Sequence, residues 1–149
     1  MRPPWAIAEA RFLDLCSRCS DCISACPTGL LVKGTGNYPE ADFNSAHCTF
    51  CGDCRQACQT GALNKSPDVS PWSLLARIGE DCLPRQGVDC RTCGERCDAG
   101  AIRFKPRIGG PALPDIDTTL CTGCGECVAD CPTRAITMVR PSLLTTQGN

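Results

Sequence analysis

Aromatic side chains are scarce, with 4 Phe, 2 Trp and 1 Tyr in 149 residues, and there are only 2 Met and 1 His. The hydrophobic share of 42% counts cysteine, so the hydrocarbon core is thin for this length. Thin cores need covalent or metal staples. No apolar run approaches the roughly 18–20 residues of a membrane span. No apolar signal-peptide segment follows Met1: Arg2, Pro3 and Pro4 come first, with charges soon after at Glu9 and Arg11. The formal net charge is −1, which offers no basic face for nucleic acid. Carboxylates are scattered, and neither a Ser–His–Asp set nor a Gly-rich phosphate loop is present. Gly34-Thr35-Gly36 is too short for a dinucleotide fingerprint.

Cysteine is what the chain has in excess, 16 residues in four blocks with none left over. The blocks are Cys16-x2-Cys19-x2-Cys22-x3-Cys26, Cys48-x2-Cys51-x2-Cys54-x3-Cys58, Cys82-x7-Cys90-x2-Cys93-x3-Cys97 and Cys121-x2-Cys124-x2-Cys127-x3-Cys131. Three follow the bacterial iron–sulfur spacing, and the third carries an insertion between its first two cysteines. A secreted disulfide scaffold gives no reason for one tight spacing to recur four times, and thiols three residues apart in a loop converge on one point rather than pairing. Zinc usually takes two cysteine pairs far apart, not three-plus-one runs. Free thiolates on this scale imply a reducing compartment, so the expected location is cytoplasmic.

Three cysteines at i, i+3 and i+6 wrap one side of a 4Fe–4S cube, and the loop aims backbone N–H groups at its sulfurs. Gly52, Gly94, Gly123 and Gly125 allow close approach. The fourth ligand must come from the far side. Cys22 and Cys26 are four residues apart, one helical turn, so they can face two neighbouring clusters. In two-cluster ferredoxins the fourth cysteine of each run ligates the other cluster. Carried over, the exchange predicts four clusters: Cys16, Cys19, Cys22 with Cys58; Cys48, Cys51, Cys54 with Cys26; Cys82, Cys90, Cys93 with Cys131; and Cys121, Cys124, Cys127 with Cys97. Four clusters of about −2 each would take the chain to a net charge of about −9.

The block tails repeat as Cys26-Pro-Thr-Gly-Leu-Leu, Cys58-Gln-Thr-Gly-Ala-Leu, Cys97-Asp-Ala-Gly-Ala-Ile and Cys131-Pro-Thr-Arg-Ala-Ile. Each reads as a helical turn, a tight turn and a short strand, near 30–33, 62–65, 101–105 and 135–139. A longer repeat lies above this one. Pro4-Trp5 and Pro71-Trp72 each open a stretch expected to be helical, with Ile7, Phe12 and Leu15 apolar in the first and Leu74, Leu75 and Ile78 in the second. Segments 38–44 and 113–117 resemble each other and would supply a strand before the next block. The expected architecture is α+β: two tandem bacterial-ferredoxin-like modules at 1–65 and 71–141, each with two 4Fe–4S clusters, short helices and short antiparallel strand pairs. Residues 66–70 read as the linker and 142–149 as a flexible tail.

The remaining side chains have plainer roles. Ile23, Leu30, Leu63, Ile102, Ile136 and Val139 are expected to shield the clusters. Trp5 and Trp72 read as core anchors, His47 as surface or supporting structure, and Lys33, Lys65, Arg103, Lys105, Arg107, Arg134 and Arg140 as a solvated face. The 83–89 insertion should change solvent access at the third block and hence its potential.

The ordered set Arg2-Pro3-Pro4-Trp5, Cys16 to Cys26, Gly36-Asn37-Tyr38-Pro39, Cys48 to Cys58, Cys82-x7-Cys90 and Cys121 to Cys131 resembles the NapF ferredoxin-type proteins, which accompany the periplasmic nitrate reductase system. The resemblance covers nearly the whole chain. It implies a cytoplasmic protein, not an enzyme, with four 4Fe–4S clusters and all sixteen cysteines as ligands. It further implies contact with the nitrate reductase catalytic subunit before export, in a maturation role through electron supply or cluster assembly. Some relatives carry a longer basic leader, whereas this chain begins at the Arg-Pro-Pro-Trp segment. An electron carrier or wiring subunit of another redox enzyme is the alternative. Anaerobic reconstitution is expected to bind roughly four iron and four sulfide per site; tight zinc in their place would contradict the reading.

Overall fold

A computed structural model describes residues 1–66 and 68–141; Pro67 of the expected linker and the expected tail 142–149 lie outside the described residues. The chain divides into two units, one of Met1–Asp42 with Cys48–Trp72 and one of Phe43–His47 with Ser73 onward. Segment 43–47 therefore belongs with the second unit although it precedes the second cysteine block.

In the first unit, helix α1 (Glu9–Leu15) is followed by the one-turn helix α2 (Asp21–Ser24), strand β1 (Leu31–Lys33), strand β2 (Pro39–Ala41) and helix α3 (Asp53–Ala57). β1 and β2 pair antiparallel with Leu31 opposite Ala41. Phe12, Leu30 and Leu63 are almost completely buried. The Arg2 guanidinium lies over both the Phe12 and Tyr38 rings, 4.9 and 5.0 Å from their centroids, and bonds Glu9 at 2.7 Å. Arg2 thus pins α1 against the strand pair, a cation–π contact in a half-dry setting.

Trp5 does not open α1, which begins four residues later with Ala8 as its N-cap. It sits instead at φ 60, in the left-handed region. A bulky residue holds such a conformation only where its surroundings over-determine it. Here they do: Asn64 N–H donates to Trp5 O at 2.7 Å, the indole Nε1 donates to Val69 O at 3.0 Å, and Arg55 stacks on the ring at 4.9 Å. The strand expected at 62–65 is reduced to an isolated bridge between Ala6 and Leu63, because the segment facing it turns at Trp5 instead of running straight.

In the second unit, strand β3 (Leu75–Ile78), helix α4 (Thr92–Glu95), strand β4 (Ile102–Arg107), strand β5 (Gly110–Ile116), helix α5 (Glu126–Ala129) and strand β6 (Ile136–Val139) follow in order. β3 corrects the expected second leading helix. Leu74, Ala76 and Ile78 are buried while Arg77 is exposed, a period of two. The small Ala76 is the inward residue that a reading of Leu74, Leu75 and Ile78 alone leaves out. β3 pairs antiparallel with β6, Ile78 opposite Ile136, and β4 with β5, Ile102 opposite Ile116. A helix thus precedes the first cysteine block, as expected, whereas a strand precedes the third.

Gly125 is packed so that a Cβ would run into the Phe43 ring, whereas a Cβ on Gly29 would meet nothing within 4 Å; both have left-handed φ, +83 and +72. Gly29→Ala is therefore expected to cost only the backbone penalty, roughly 1–2 kcal/mol. Gly125→Ala should add an overpacking cost of about 1–3 kcal/mol. Denaturant melts of the reconstituted protein check this; equal costs would contradict the Phe43–Gly125 contact.

Candidate metal centres

Each regular cysteine block is shaped by two left-handed residues at matching places. They are Arg18 (φ 59) and Ser20 (φ 73) in the first, Phe50 (φ 55) and Gly52 (φ 83) in the second, and Gly123 (φ 77) and Gly125 (φ 83) in the fourth. One follows the first cysteine by two residues and the other immediately follows the second cysteine. Residues alternating between left- and right-handed conformations turn successive N–H groups to one side and make an anion-binding concavity. Phe50 N–H donates to Cys48 Sγ at 3.4 Å in this way. The short helices α2, α3 and α5 then start directly after Ser20, Gly52 and Gly125 and carry the third cysteine of each block.

The third block is built differently. Arg91, ahead of α4, has φ −131, and the insertion forms a 3-10 turn at Leu83–Gln86 that ends on left-handed Gly87. Gly94 lies inside α4, where a Cβ would approach the Phe104 ring at 2.6 Å; its smallness serves helix–strand contact rather than a loop turn. The 3-10 turn places Leu83 and the fully buried Pro84 over the third block, and Arg107 donates to Pro84 O at 3.4 Å. The insertion covers this site.

The cysteines gather in fours. Cys26 joins Cys48, Cys51 and Cys54 around an open hollow of about 300 Å³, walled by Trp5 and Leu30. Cys131 joins Cys82, Cys90 and Cys93 around one of about 330 Å³, walled by Pro84, Phe104 and Ile136. Cys97 joins Cys121, Cys124 and Cys127 around one of about 350 Å³, walled by Ala76, Ile102 and Met138. In the remaining set, Cys22 is buried and feels Cys16, Cys19 and Cys58. All sixteen thiols are free.

Crowding leaves an electrostatic mark. Cys22 is pushed up to about 11 by burial and then by Cys16, Cys19 and Cys58. Burial followed by Cys82, Cys90 and Cys131 pushes Cys93 to about 11. Cys54 rises to about 12 through burial and Cys48, with smaller effects of Cys22 and Cys26. Cys127 rises to about 12 through burial, then Cys124, Cys121, Cys93 and Cys97. Four thiolates cannot share such a space without a cationic core. At Cys26 and Cys58 burial acts in the same upward direction, but local hydrogen bonds outweigh it and the thiol is lowered. The donors are Thr28 and the amides of Leu31, Leu30 and Thr28 at Cys26, and the amide of Leu63, Thr60 and the amide of Ala62 at Cys58.

The donor set fits a multi-iron cube. A single zinc, with Zn–S of about 2.3 Å, would draw four sulfurs to within about 4 Å of one another. Among the described residues, no group of three or more His, Cys, Asp or Glu is placed to hold one ion. The sulfurs are instead soft ligands set three-plus-one against apolar walls, the donor set of an iron–sulfur cube.

Of the expected shielding residues, Leu30, Leu63, Ile102 and Ile136 are buried, while Ile23 and Val139 are half-buried. His47 is half-buried in the second unit. Lys33, Lys65, Arg103, Lys105, Arg107, Arg134 and Arg140 are all exposed, with Lys105 paired to Asp115 at 2.8 Å. Sequence reasoning missed the walls contributed by Pro84, Phe104 and Met138, and a set of threonine hydroxyls. Thr28, Thr60, Thr92 and Thr133 lie 3.6, 3.7, 3.6 and 3.8 Å from the sulfurs of Cys26, Cys58, Cys90 and Cys131. The Cys-x-Thr repeat was the available signal for them.

Residues 15–63 and 88–135 each match a family described as a 4Fe–4S dicluster domain. The chain is 46% identical over 138 residues to ferredoxin-type protein NapF of Haemophilus influenzae, covering 93% of this chain and 78% of the relative. It is 42% identical over 137 residues to NapF of Escherichia coli K12, covering 92% and 83%. The methylamine utilization ferredoxin-type protein MauM of Methylobacillus flagellatus is 35% identical over 148 residues, covering 88% of this chain and 63% of that one. The chain belongs to the NapF family of ferredoxin-type proteins and carries two tandem 4Fe–4S dicluster domains.

Proposed function

We propose that the chain holds four 4Fe–4S clusters in two modules, 1–65 and 71–141, on the crossed cysteine sets. When bound, each cluster accepts or gives one electron. Cys58, Cys26, Cys131 and Cys97 serve as the exchanged ligands. The supporting observation is the gathering of each exchanged cysteine with three cysteines of the other block in its module: Cys26, Cys131 and Cys97 around hollows, Cys58 beside Cys22. Each exchanged ligand holds two blocks together, which compensates for the thin core.

The chain works as an electron carrier and accessory factor and not as an enzyme. Cys19 and Cys51 are exposed, so the first unit offers two sulfur corners to a partner. The partner best supported by family membership is the catalytic subunit of the periplasmic nitrate reductase, met in the cytoplasm before export. The service is maturation, through electron supply or help with cluster assembly. Among the described residues no helix is long and apolar enough to cross a membrane. A second reading, electron transfer to a different redox enzyme, is favoured by the similarity to a protein named for methylamine utilization.

Anaerobic affinity purification of the loaded protein from cells grown on nitrate separates the two. Recovery of the unexported molybdenum-containing nitrate reductase subunit is the expected outcome. Its absence together with recovery of another oxidoreductase would defeat the maturation reading.

A further inference from the structure

The threonine hydroxyls are distributed unevenly among the four cysteine sets. The set containing Cys58 has Thr60, and the set containing Cys26 has Thr28. The set containing Cys131 has two, Thr133 at Cys131 and Thr92 at Cys90. The set containing Cys97 has none in these positions, because its tail reads Cys97-Asp98-Ala99 where the other three read Cys-x-Thr. Backbone donors do not follow this pattern: Cys97 still receives Ala101 N–H at 3.3 Å. What the Cys97 tail lacks, compared with the other three, is the side-chain hydroxyl.

A cluster-ligating thiolate has no proton to give, so each of these hydroxyls can only donate. An O–H donated to a ligand sulfur is strongest when that sulfur is most negative, and it therefore favours the reduced state. We propose that the threonine two residues after a cysteine ranks the four sites by reduction potential: the site of Cys82, Cys90, Cys93 and Cys131 is raised by Thr92 and Thr133, and the site of Cys121, Cys124, Cys127 and Cys97, with Ala99 in place of threonine, accepts an electron least readily. The inference rests on the four-cluster reading above. It gives the second module a built-in gradient, since a donor that reduces the Cys97 site finds a more strongly accepting site in the same module.

The test uses the full chain, reconstituted anaerobically, with iron and sulfide measured for every variant. EPR-monitored redox titration then resolves one-electron components. Ala99 is exposed, so Ala99→Thr has room; it leaves Asp98 in place and is expected to move the lowest component upward while the other three stay fixed. Thr133→Val should move one component down, and Thr133→Ser should hold it in place. The shift expected is at least threefold in the equilibrium constant for reduction, about 30 mV at roughly 59 mV per tenfold for one electron. Full iron and sulfide with unmoved components in both Ala99→Thr and Thr133→Val would overturn the ranking while leaving the clusters intact. Wild-type protein that fails to bind four clusters would overturn the cluster reading itself.

Discussion

Mutual repulsion among four sulfur ligands in one apolar hollow is the constraint on which the rest of the structure depends. Cys22, Cys54 and Cys127 are buried and Cys93 half-buried beside the cysteines of their own set, and each is pushed up to about 11 or 12. Only a cationic core makes four thiolates tolerable there, and metal binding is then coupled to folding. The local backbone follows from this. Arg18, Ser20 and Phe50 hold left-handed conformations that only glycine adopts freely. At roughly 1–2 kcal/mol each, these three and Trp5 together carry backbone strain of about 4–8 kcal/mol. That is comparable with the whole stability of a small domain, about 5–15 kcal/mol.

The two units meet this constraint with different means. The first surrounds its sites with an aromatic and cation–π framework: Arg2 over Phe12 and Tyr38, and Arg55 over Trp5. The second uses longer strands, β3 with β6 and β4 with β5, and covers the third block with the 3-10 turn at Leu83–Gln86. The units are repeats in their cysteines and diverge in what encloses them. Reduction adds negative charge in a site of low dielectric, so enclosure and hydrogen bonding both set how readily each cluster accepts an electron. The hydroxyl pattern of Thr28, Thr60, Thr92 and Thr133 acts within that divergence.

How far the sequence could be followed depended on the kind of signal. Cysteine spacing is a direct statement about ligand geometry, and the fold sets Cys26, Cys131 and Cys97 each beside three cysteines of another block. The strands near 101–105 and 135–139 are legible from the turn that closes each cysteine block, and the strand near 113–117 from its likeness to 38–44. The β3 segment is not. Leu74, Leu75 and Ile78 fit one helical face, and the alternation with Ala76 emerges only once β6 is present to pair with it. Trp5 is a core anchor, as its sequence position suggests, and its indole is buried, but the left-handed turn that carries it depends on contacts with Asn64 and Val69 far along the chain. Gly123 and Gly125 hinted at left-handed positions in the fourth block. Arg18, Ser20 and Phe50 gave no such hint, because their conformations are imposed by the cysteines around them.

Crossed ligation is the central claim, and iron content in paired cysteine variants tests it most directly. Cys16→Ala/Cys58→Ala removes two ligands from one crossed set, and the reconstituted protein is expected to keep three clusters, about twelve iron atoms. Cys48→Ala/Cys58→Ala removes two ligands from one sequence block but one from each of two crossed sets, and about eight iron atoms should remain. The opposite order, with more iron retained by Cys48→Ala/Cys58→Ala, would contradict the crossed arrangement.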